Sequence, residues 1–343
     1  MSRGFVSDSG SVKHRGSFIV RTALVLSIIA SILIGIIGLT VNSANTLMNI
    51  DKNYVSNVPS NILPSYSTTS FESADGQTAL SGWFFKTADP ISTIIVVHDT
   101  GSNRLPFGVN MIDMVETWLD NRYNVFLFDQ RNSGDSSGDI SGYGYLEWKD
   151  VLGAIAIVKQ ISVTTDVVLY GIGTGCTSSV LAYNNLPDPG TPEEDYKFNL
   201  TFDRSYISGM IFDSPAKSSD DYIKPIVRQN EFLGFITQNF VPYAIKGSSG
   251  GDTVNLATTI SRLPIPVCII YGGHDTFIGA EKITQIVNER NRLSGNITTS
   301  KMISGAGYLE EYTINEKEYI DTVMDYLNTF IIDQKGDNLD GKA

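Results

Sequence analysis

The fold is decided by one stretch, Val167-Val168-Leu169-Tyr170-Gly171-Ile172-Gly173-Thr174-Gly175-Cys176-Thr177-Ser178-Ser179. Apolar and aromatic residues lead into alternating glycines, and small side chains follow. An apolar run of this length predicts a buried strand, and glycines permit the tight turn that joins a strand to a closely packed helix. We therefore predict a sharp strand-to-helix turn centred on Gly173.

Further apolar runs predict the rest of the sheet. The predicted strands lie at 93–98, 124–129, 166–171, 207–212, 266–271 and 299–303. Continuous apolar runs are typical of parallel strands covered by helices on both faces. Apolar residues at helical spacing, such as Val151, Ile155 and Val158, predict helices between them. The fold class is therefore α/β, a mostly parallel, doubly wound sheet.

The turn at Gly173 resembles the nucleophile elbow of α/β-hydrolases, whose pattern is G-x-S-x-G. Gly171 and Gly175 match the flanking glycines, but Gly173 occupies the position of the nucleophilic serine. The resemblance thus implies an α/β-hydrolase fold in which the nucleophile position is substituted.

Two later turns resemble those that carry the other triad members. Gly272-Gly273-His274-Asp275 follows an apolar run and resembles the acid turn, which implies that Asp275 retains the triad acid position. Gly305-Ala306-Gly307-Tyr308 resembles the histidine turn, with Tyr308 in the base position. No histidine follows His274 in the chain. We expect Tyr308 to form a hydrogen bond with Asp275.

The loop His98-Asp99-Thr100-Gly101-Ser102 resembles the H-G-x-G-S loop that contributes to the oxyanion hole. The resemblance implies an oxyanion or ligand site formed by His98, Asp99, Thr100 and Thr174, although a structural role is the favoured interpretation of the His98 side chain itself. Asp99 replaces a glycine, which places a carboxylate where negative charge would develop. The motif order resembles that of membrane-anchored, lysophospholipase-like and serine aminopeptidase-like bacterial hydrolases.

Residues 22–41 contain no charge and predict a transmembrane helix, because 20 residues at about 1.5 Å each span the roughly 30 Å hydrocarbon layer. A cleaved signal peptide remains an alternative. Basic residues concentrate before this span, at Arg3, Lys13, Arg15 and Arg21. This asymmetry predicts a cytoplasmic amino terminus and a main domain on the outer side of the cell membrane.

The predicted organisation has five parts, with residues 1–21 cytoplasmic, 22–41 transmembrane, 42–65 a polar linker, 66–335 the hydrolase-like domain and 336–343 a polar tail. Residues 184–204 and 216–263 are predicted cap insertions above the carboxyl ends of the strands, where ligands bind in this fold. A solvated surface loop is an equal alternative for the first of them.

The residues near the predicted turns offer no good substitute for the serine or the histidine. Taking Thr174 as nucleophile puts Ile172 and Cys176 at positions that need glycine. Cys176 has no histidine partner and is predicted, like Cys268, to be a small buried thiol, although the sequence leaves a bridge between them undecided. A Tyr308 phenol is protonated at neutral pH and is a poor base.

The leading hypothesis is a membrane-anchored pseudohydrolase that binds a small acyl, lipid or peptide ligand, or a protein partner. The alternatives are an active esterase, lysophospholipase or peptidase with an unorthodox centre, and an interaction scaffold with a closed cleft. We predict no cofactor and no metal. The net charge of −12 argues against nucleic acid as a partner, since an acidic surface repels phosphate.

Overall fold

The computed structural model describes residues 10–56, 58–59, 61–230, 232–249 and 255–332 of the 343-residue chain. Side chains are described from residue 18 onward, with the exception of residue 249. The predicted polar tail 336–343 lies outside the described residues, as does the first part of the predicted cytoplasmic segment.

One eight-stranded sheet forms the centre of the domain. Its strands are β1 (Tyr66–Glu72), β2 (Ala79–Phe85), β3 (Ser92–Val97), β4 (Tyr123–Asp129), β5 (Val167–Ile172), β6 (Ile207–Asp213), β7 (Val267–Gly272) and β8 (Thr298–Ile303). The order across the sheet is β1-β2-β4-β3-β5-β6-β7-β8. The pairs β1–β2 and β2–β4 are antiparallel and the others are parallel. The six predicted strands are confirmed to within a residue or two, and the predicted mostly parallel sheet is confirmed.

Helices cover both faces of this sheet. They are α1 (Gly10–Met48), α2 (Met111–Asp120), α3 (Trp148–Ile161), α4 (Thr174–Asn185), α5 (Asp220–Asn230), α6 (Gly234–Thr237), α7 (Val241–Ser249), α8 (Leu256–Arg262), α9 (Ala280–Ser294), α10 (Glu311–Ile314) and α11 (Glu316–Leu327). Shorter helical turns are Gly108–Asn110, Glu193–Asp195, Lys197–Asn199, Arg204–Tyr206, Gly295–Ile297 and Asn328–Ile332. Two apolar clusters, one on each face of the sheet, form the core.

The first helix is longer than the predicted span. Helix α1 continues to Met48, and its end is buried at positions three or four residues apart, Thr40, Ser43, Ala44, Leu47 and Met48. The chain after it also lies on the domain, since Lys52 donates to Ser136 O at 2.6 Å and Asn53 to Gly101 O at 3.2 Å. The prediction of a polar linker over 42–65 is therefore wrong for its first part, because one face of the helix packs on the domain.

The two predicted cap insertions lie at opposite ends of the sheet. Residues 216–263 connect the carboxyl end of β6 to β7 and contain helices α5 to α8. Residues 184–204 join the end of α4 to the start of β6. Because α4 starts at the carboxyl edge and runs back along the sheet, this connection lies at the amino edge, so the prediction of a cap there is wrong. Its Leu200 and Phe202 are buried in the core instead.

Candidate functional site

The strand-to-helix turn has the strained backbone that an elbow requires. Gly173 lies between β5 and α4 with φ of 54° and ψ of −121°. Residues other than glycine rarely adopt this backbone conformation. The flanking glycines are also sterically required, since a Cβ at Gly171 would lie 2.7 Å from Cys176 N and one at Gly175 would collide with Val97 O. The turn therefore has the local geometry of a nucleophile elbow, with a glycine at its centre.

A carboxylate from the neighbouring loop binds the backbone amide that follows Gly173. Asp99 Oδ1 accepts hydrogen bonds from Thr174 N and from Thr174 Oγ1, each at 2.8 Å. Thr174 Oγ1 in turn accepts from Thr100 N at 2.7 Å. The N–H after an elbow nucleophile is a donor that stabilises the developing oxyanion in hydrolases of this type. In this protein the amide of Thr174 already donates to the carboxylate of Asp99.

The space above Gly173 is also filled. A Cβ built on Gly173 would lie 2.5 Å from Asp99 Oδ1 and 2.6 Å from Asp99 Cγ, and it would also collide with Tyr308 Oη. Asp99 and Tyr308 contact each other there, because Tyr308 Oη donates to Asp99 Oδ2 at 3.2 Å. The two side chains together take the volume in which a nucleophile would stand.

The partner of Tyr308 differs from the sequence prediction. We expected a hydrogen bond to Asp275, but the phenol donates to Asp99, so that prediction is wrong. Asp275 Oδ1 accepts instead from Phe277 N at 2.7 Å and Ile278 N at 2.9 Å, in its own turn. Asp275 Oδ2 is buried and has no hydrogen-bond partner among the described residues. Asp275 Oδ2 is thus an acceptor atom that no group of the described structure uses.

The electrostatics disfavour proton transfer at this site. Burial raises the pKa of the Asp99 carboxyl, while the hydrogen bonds from Thr174 oppose that shift. Burial, together with the adjacent Asp99 charge, raises the pKa of Tyr308 well above its ordinary value. A phenol with a raised pKa remains a donor at neutral pH and does not act as a general base.

His98 holds the loop rather than facing the cavity. Its side chain is fully buried, its Nδ1 bonds Asp99 O at 2.7 Å, and its Nε2 accepts from Gln130 N at 3.0 Å. Burial lowers the pKa of His98, which favours the neutral ring that this pair of bonds requires. Both ring nitrogens are therefore engaged within the protein.

A buried ion pair anchors the same loop to the next strand. Arg104 pairs with Asp129 at the end of β4, and Asp129 Oδ1 also accepts from Arg104 N at 2.7 Å. Arg104 further contacts Asp135 at 2.6 Å. Arg104 Nε and Nη2 both donate to Asp129 Oδ2, and charge-assisted hydrogen bonds of this kind are strong. The ion pair therefore ties the loop that carries Asp99 to the end of β4.

The alternative nucleophile Cys176 is buried and inert. Its Sγ lies 3.2 Å from Gly171 O and 3.3 Å from Asp213 O. Burial and the charge of Asp213 raise the pKa of this thiol well above its ordinary value, so the reactive thiolate is disfavoured. Cys176 and Cys268 are both free. Among the residues that the structure describes, no group of three or more His, Cys, Asp or Glu side chains could hold a metal ion.

Sequence reasoning missed several residues around the site. Tyr222, on cap helix α5, donates from its Oη to Gly173 O at 2.8 Å, and its ring lies 6.1 Å from that of Tyr308. An open cavity of about 310 Å³ lies beside Asp99 and is lined by Asn53, Asp99, Thr100, Gly101, Ser102, Pro106, Phe107, Ile172 and Leu309. Asn53 comes from the segment after α1, so this segment forms part of the cavity wall. Tyr222 and Asn53 could not be identified from the sequence, because both lie far along the chain from the residues they contact.

A pair of buried acidic residues, Asp213 and Glu311, lies next to the elbow. Asp213 accepts from Tyr319 Oη at 2.6 Å, and Glu311 accepts from Ser214 Oγ at 2.7 Å. Burial raises the pKa of Asp213, and burial together with the Asp213 charge raises the pKa of Glu311 to about 9. The pair therefore holds a proton at neutral pH.

We expect this pair to make the protein less stable as the pH rises. A carboxyl whose folded pKa is raised contributes stability that is fully present below its unfolded value of 4.5 and is lost as the pH rises through its folded value of about 9. Glu311→Gln keeps the shape and removes the titration, so its melting temperature should fall less between these limits than that of the wild type. Thermal unfolding monitored by circular dichroism at successive pH values measures this, and parallel curves for the two proteins would refute it.

Comparisons at the level of sequence found similar proteins of uncharacterized function. No family profile matches the chain. The sequence is 28% identical to the uncharacterized protein YfhR of Escherichia coli O157:H7 over 237 residues, which is 65% of this chain and 69% of that protein. It is 28% identical to the uncharacterized protein YqkD of Bacillus subtilis over 81 residues, 24% of this chain and 25% of that one.

Solved structures show the same fold at low sequence identity. The Pyrococcus furiosus esterase Pf2001 superposes with a TM-score of 0.62 and 17% identity, covering 83% of this chain and 99% of its own. The α/β hydrolase GrgF from Penicillium gives a TM-score of 0.57 at 14% identity, covering 78% and 99%. A putative dipeptidyl aminopeptidase IV from Bacteroides ovatus superposes with a TM-score of 0.54 at 13% identity. The superposition covers 78% of this chain and 36% of that protein. Together with the strand order and the elbow, these superpositions show that the chain has the α/β-hydrolase fold.

Proposed function

We propose that this protein is a membrane-anchored pseudohydrolase, which uses the α/β-hydrolase cleft to bind a ligand and not to hydrolyse one. The observation that carries the proposal is the contact of Asp99 Oδ1 with Thr174 N at 2.8 Å. That amide is where an oxyanion would need stabilisation. An anion fixed at the same amide excludes a second one, because two negative charges at one donor repel each other.

Three further features support inactivity. Gly173 supplies no nucleophile, Tyr308 is a donor with a raised pKa, and Asp275 Oδ2 has no base to orient. In a protease that uses the same chemical logic, loss of the nucleophile or its histidine alone costs about 10⁶ in turnover. Substrate binding and a partial oxyanion hole alone accelerate the reaction about 10³-fold to 10⁴-fold over the rate in water, which is too little for a working enzyme.

The chemistry of the cavity indicates the class of ligand. Asp99 is one of its lining residues, and its wall also includes the apolar residues Phe107, Ile172 and Leu309. A carboxylate beside apolar walls favours a small peptide or lipid ligand that carries an amine or other hydrogen-bond donors. The cavity volume of about 310 Å³ fits only a small group of such a ligand.

The anchor in this proposal is helix α1. Within the described chain, Phe18–Met48 is long and apolar enough to cross a membrane. Side chains from Phe18 to Val41 are largely exposed, which suits contact with lipid. The excess of basic residues before this segment favours a cytoplasmic amino terminus, with the domain on the outer side.

A fluorophosphonate probe, which reacts covalently with activated serine nucleophiles, tests this proposal. We expect the full-length protein in detergent micelles to remain unlabelled, because no activated hydroxyl lies at the elbow. The Asp99→Gly/Gly173→Ser/Tyr308→His variant serves as the positive control on the same scaffold. Labelling of the wild type that heat denaturation abolishes would contradict the proposal.

A further inference from the structure

The cap segment next to α1 carries four exposed aromatic side chains close together along the chain, called the aromatic cluster below. Phe232 is 80% exposed, Phe235 64%, Phe240 49% and Tyr243 65%. All four lie within 12 residues of the chain, on or beside α6 and α7. Exposed aromatic side chains concentrated in this way mark an interaction surface.

Helix α1 fixes the position of this aromatic cluster. Helix α1 packs against both α6 and α7. Its large apolar side chains are exposed up to Val41, and its buried positions begin at Thr40. Lipid contact and cap contact therefore meet at the same turn of one continuous helix. Because no flexible segment separates them, the cap lies at the surface of any bilayer that α1 crosses.

The geometry points to the aromatic cluster as a second membrane contact, in which Phe232, Phe235, Phe240 and Tyr243 enter the boundary between headgroups and acyl chains. Aromatic side chains concentrate at this depth in membrane proteins, with the ring in the apolar region and a polar tip such as the Tyr243 hydroxyl in the headgroups. The inference rests on the proposed membrane anchoring. The inference adds that the cap contacts the lipid, so that the domain is held against the bilayer at two places.

This placement also bears on the ligand. Asn53, which lines the cavity beside Asp99, follows the same helix end. The cavity mouth would therefore lie close to the bilayer surface, where an amphipathic ligand could reach it from the membrane.

Depth-dependent quenching tests this inference in the full-length chain. Phe235→Cys and Tyr243→Cys variants are labelled with an environment-sensitive fluorophore and reconstituted into phosphatidylcholine vesicles. Cys176 and Cys268 are buried, so the unsubstituted protein provides the labelling background. The matched control is Val163→Cys, since Val163 is 82% exposed and follows α3 at the amino edge of the sheet.

We expect lipids that carry a shallow doxyl quencher to reduce the emission of both cap labels about two-fold, because interfacial side chains lie roughly 5–10 Å deep. Aqueous iodide should quench the Val163→Cys label and spare the cap labels. Vesicle flotation separates the outcomes. A protein that fails to float refutes the anchoring and this inference with it. A protein that floats with iodide-accessible cap labels refutes the second contact alone. Cap labels shielded from both quenchers would mean that protein covers the cluster, which also overturns the inference.

Discussion

The combined variant Asp99→Gly/Gly173→Ser/Tyr308→His is expected to hydrolyse short-chain p-nitrophenyl esters at least about 100-fold faster than the wild type, a small part of the ~10⁶ that an evolved triad contributes. Removing the Asp99 carboxylate frees the Thr174 amide and the space above the elbow. The introduced serine then has room, and the introduced imidazole has an acceptor in Asp275 Oδ2, which has no partner within the described structure.

Two controls separate the contributions. The Gly173→Ser/Tyr308→His variant, with Asp99 retained, is expected to stay at the wild-type level, because the carboxylate still holds the oxyanion amide. Adding Asp275→Ala to the combined variant should remove most of the gained rate, because the acid orients the base. If the variant that retains Asp99 hydrolyses esters as fast as the combined one, the assigned role of Asp99 is wrong.

The single substitution Gly173→Ser is expected to lower the free energy of unfolding by about 3 kcal/mol, which combines overpacking with the cost of a side chain at this backbone conformation. The new Cβ would lie 2.5 Å from Asp99 Oδ1. Chemical denaturation followed by tryptophan fluorescence measures the loss. The added substitution Asp99→Gly should recover only part of it, because the collision of the new Cβ with Tyr308 Oη remains.

A second glycine isolates the backbone contribution. Gly76 has φ of 66° and no heavy atom within 4 Å of a built Cβ. Gly76→Ser therefore carries the conformational cost without the collision and should destabilise by only about 1 kcal/mol. Equal losses at Gly76 and Gly173 would show that the space above the elbow is not filled as described.

The sequence was sufficient for the elbow and the parallel strands. Local patterns decide those features, since Gly171 and Gly175 are needed by the turn itself and the apolar runs are buried on both faces. Strands β1 and β2 were not predicted, because β1 is mostly exposed and Tyr66-Ser67-Thr68-Thr69-Ser70-Phe71-Glu72 is mainly polar. An exposed antiparallel edge needs no continuous apolar run.

The contacts within the site depended on tertiary structure. The sequence suggested that Asp99 brings a carboxylate near the oxyanion position, but it could not show that Tyr308, 209 residues away, would bond Asp99 and leave Asp275 Oδ2 free. The end of α1 is a similar case. Its polar composition indicated a linker, but burial of one helical face against the cap decided the conformation, as tertiary packing commonly does for helices.

The most direct test of the central claim is the steady-state hydrolysis of p-nitrophenyl butyrate by purified full-length wild type, compared with its Asp275→Ala variant. The proposed inactivity, which rests on the contact of Asp99 with Thr174 N and on the absence of a side chain at Gly173, predicts that both proteins match the background rate of buffer with detergent. Hydrolysis by the wild type that saturates with substrate and falls in Asp275→Ala would contradict the claim, because it would require a working catalytic centre at the elbow.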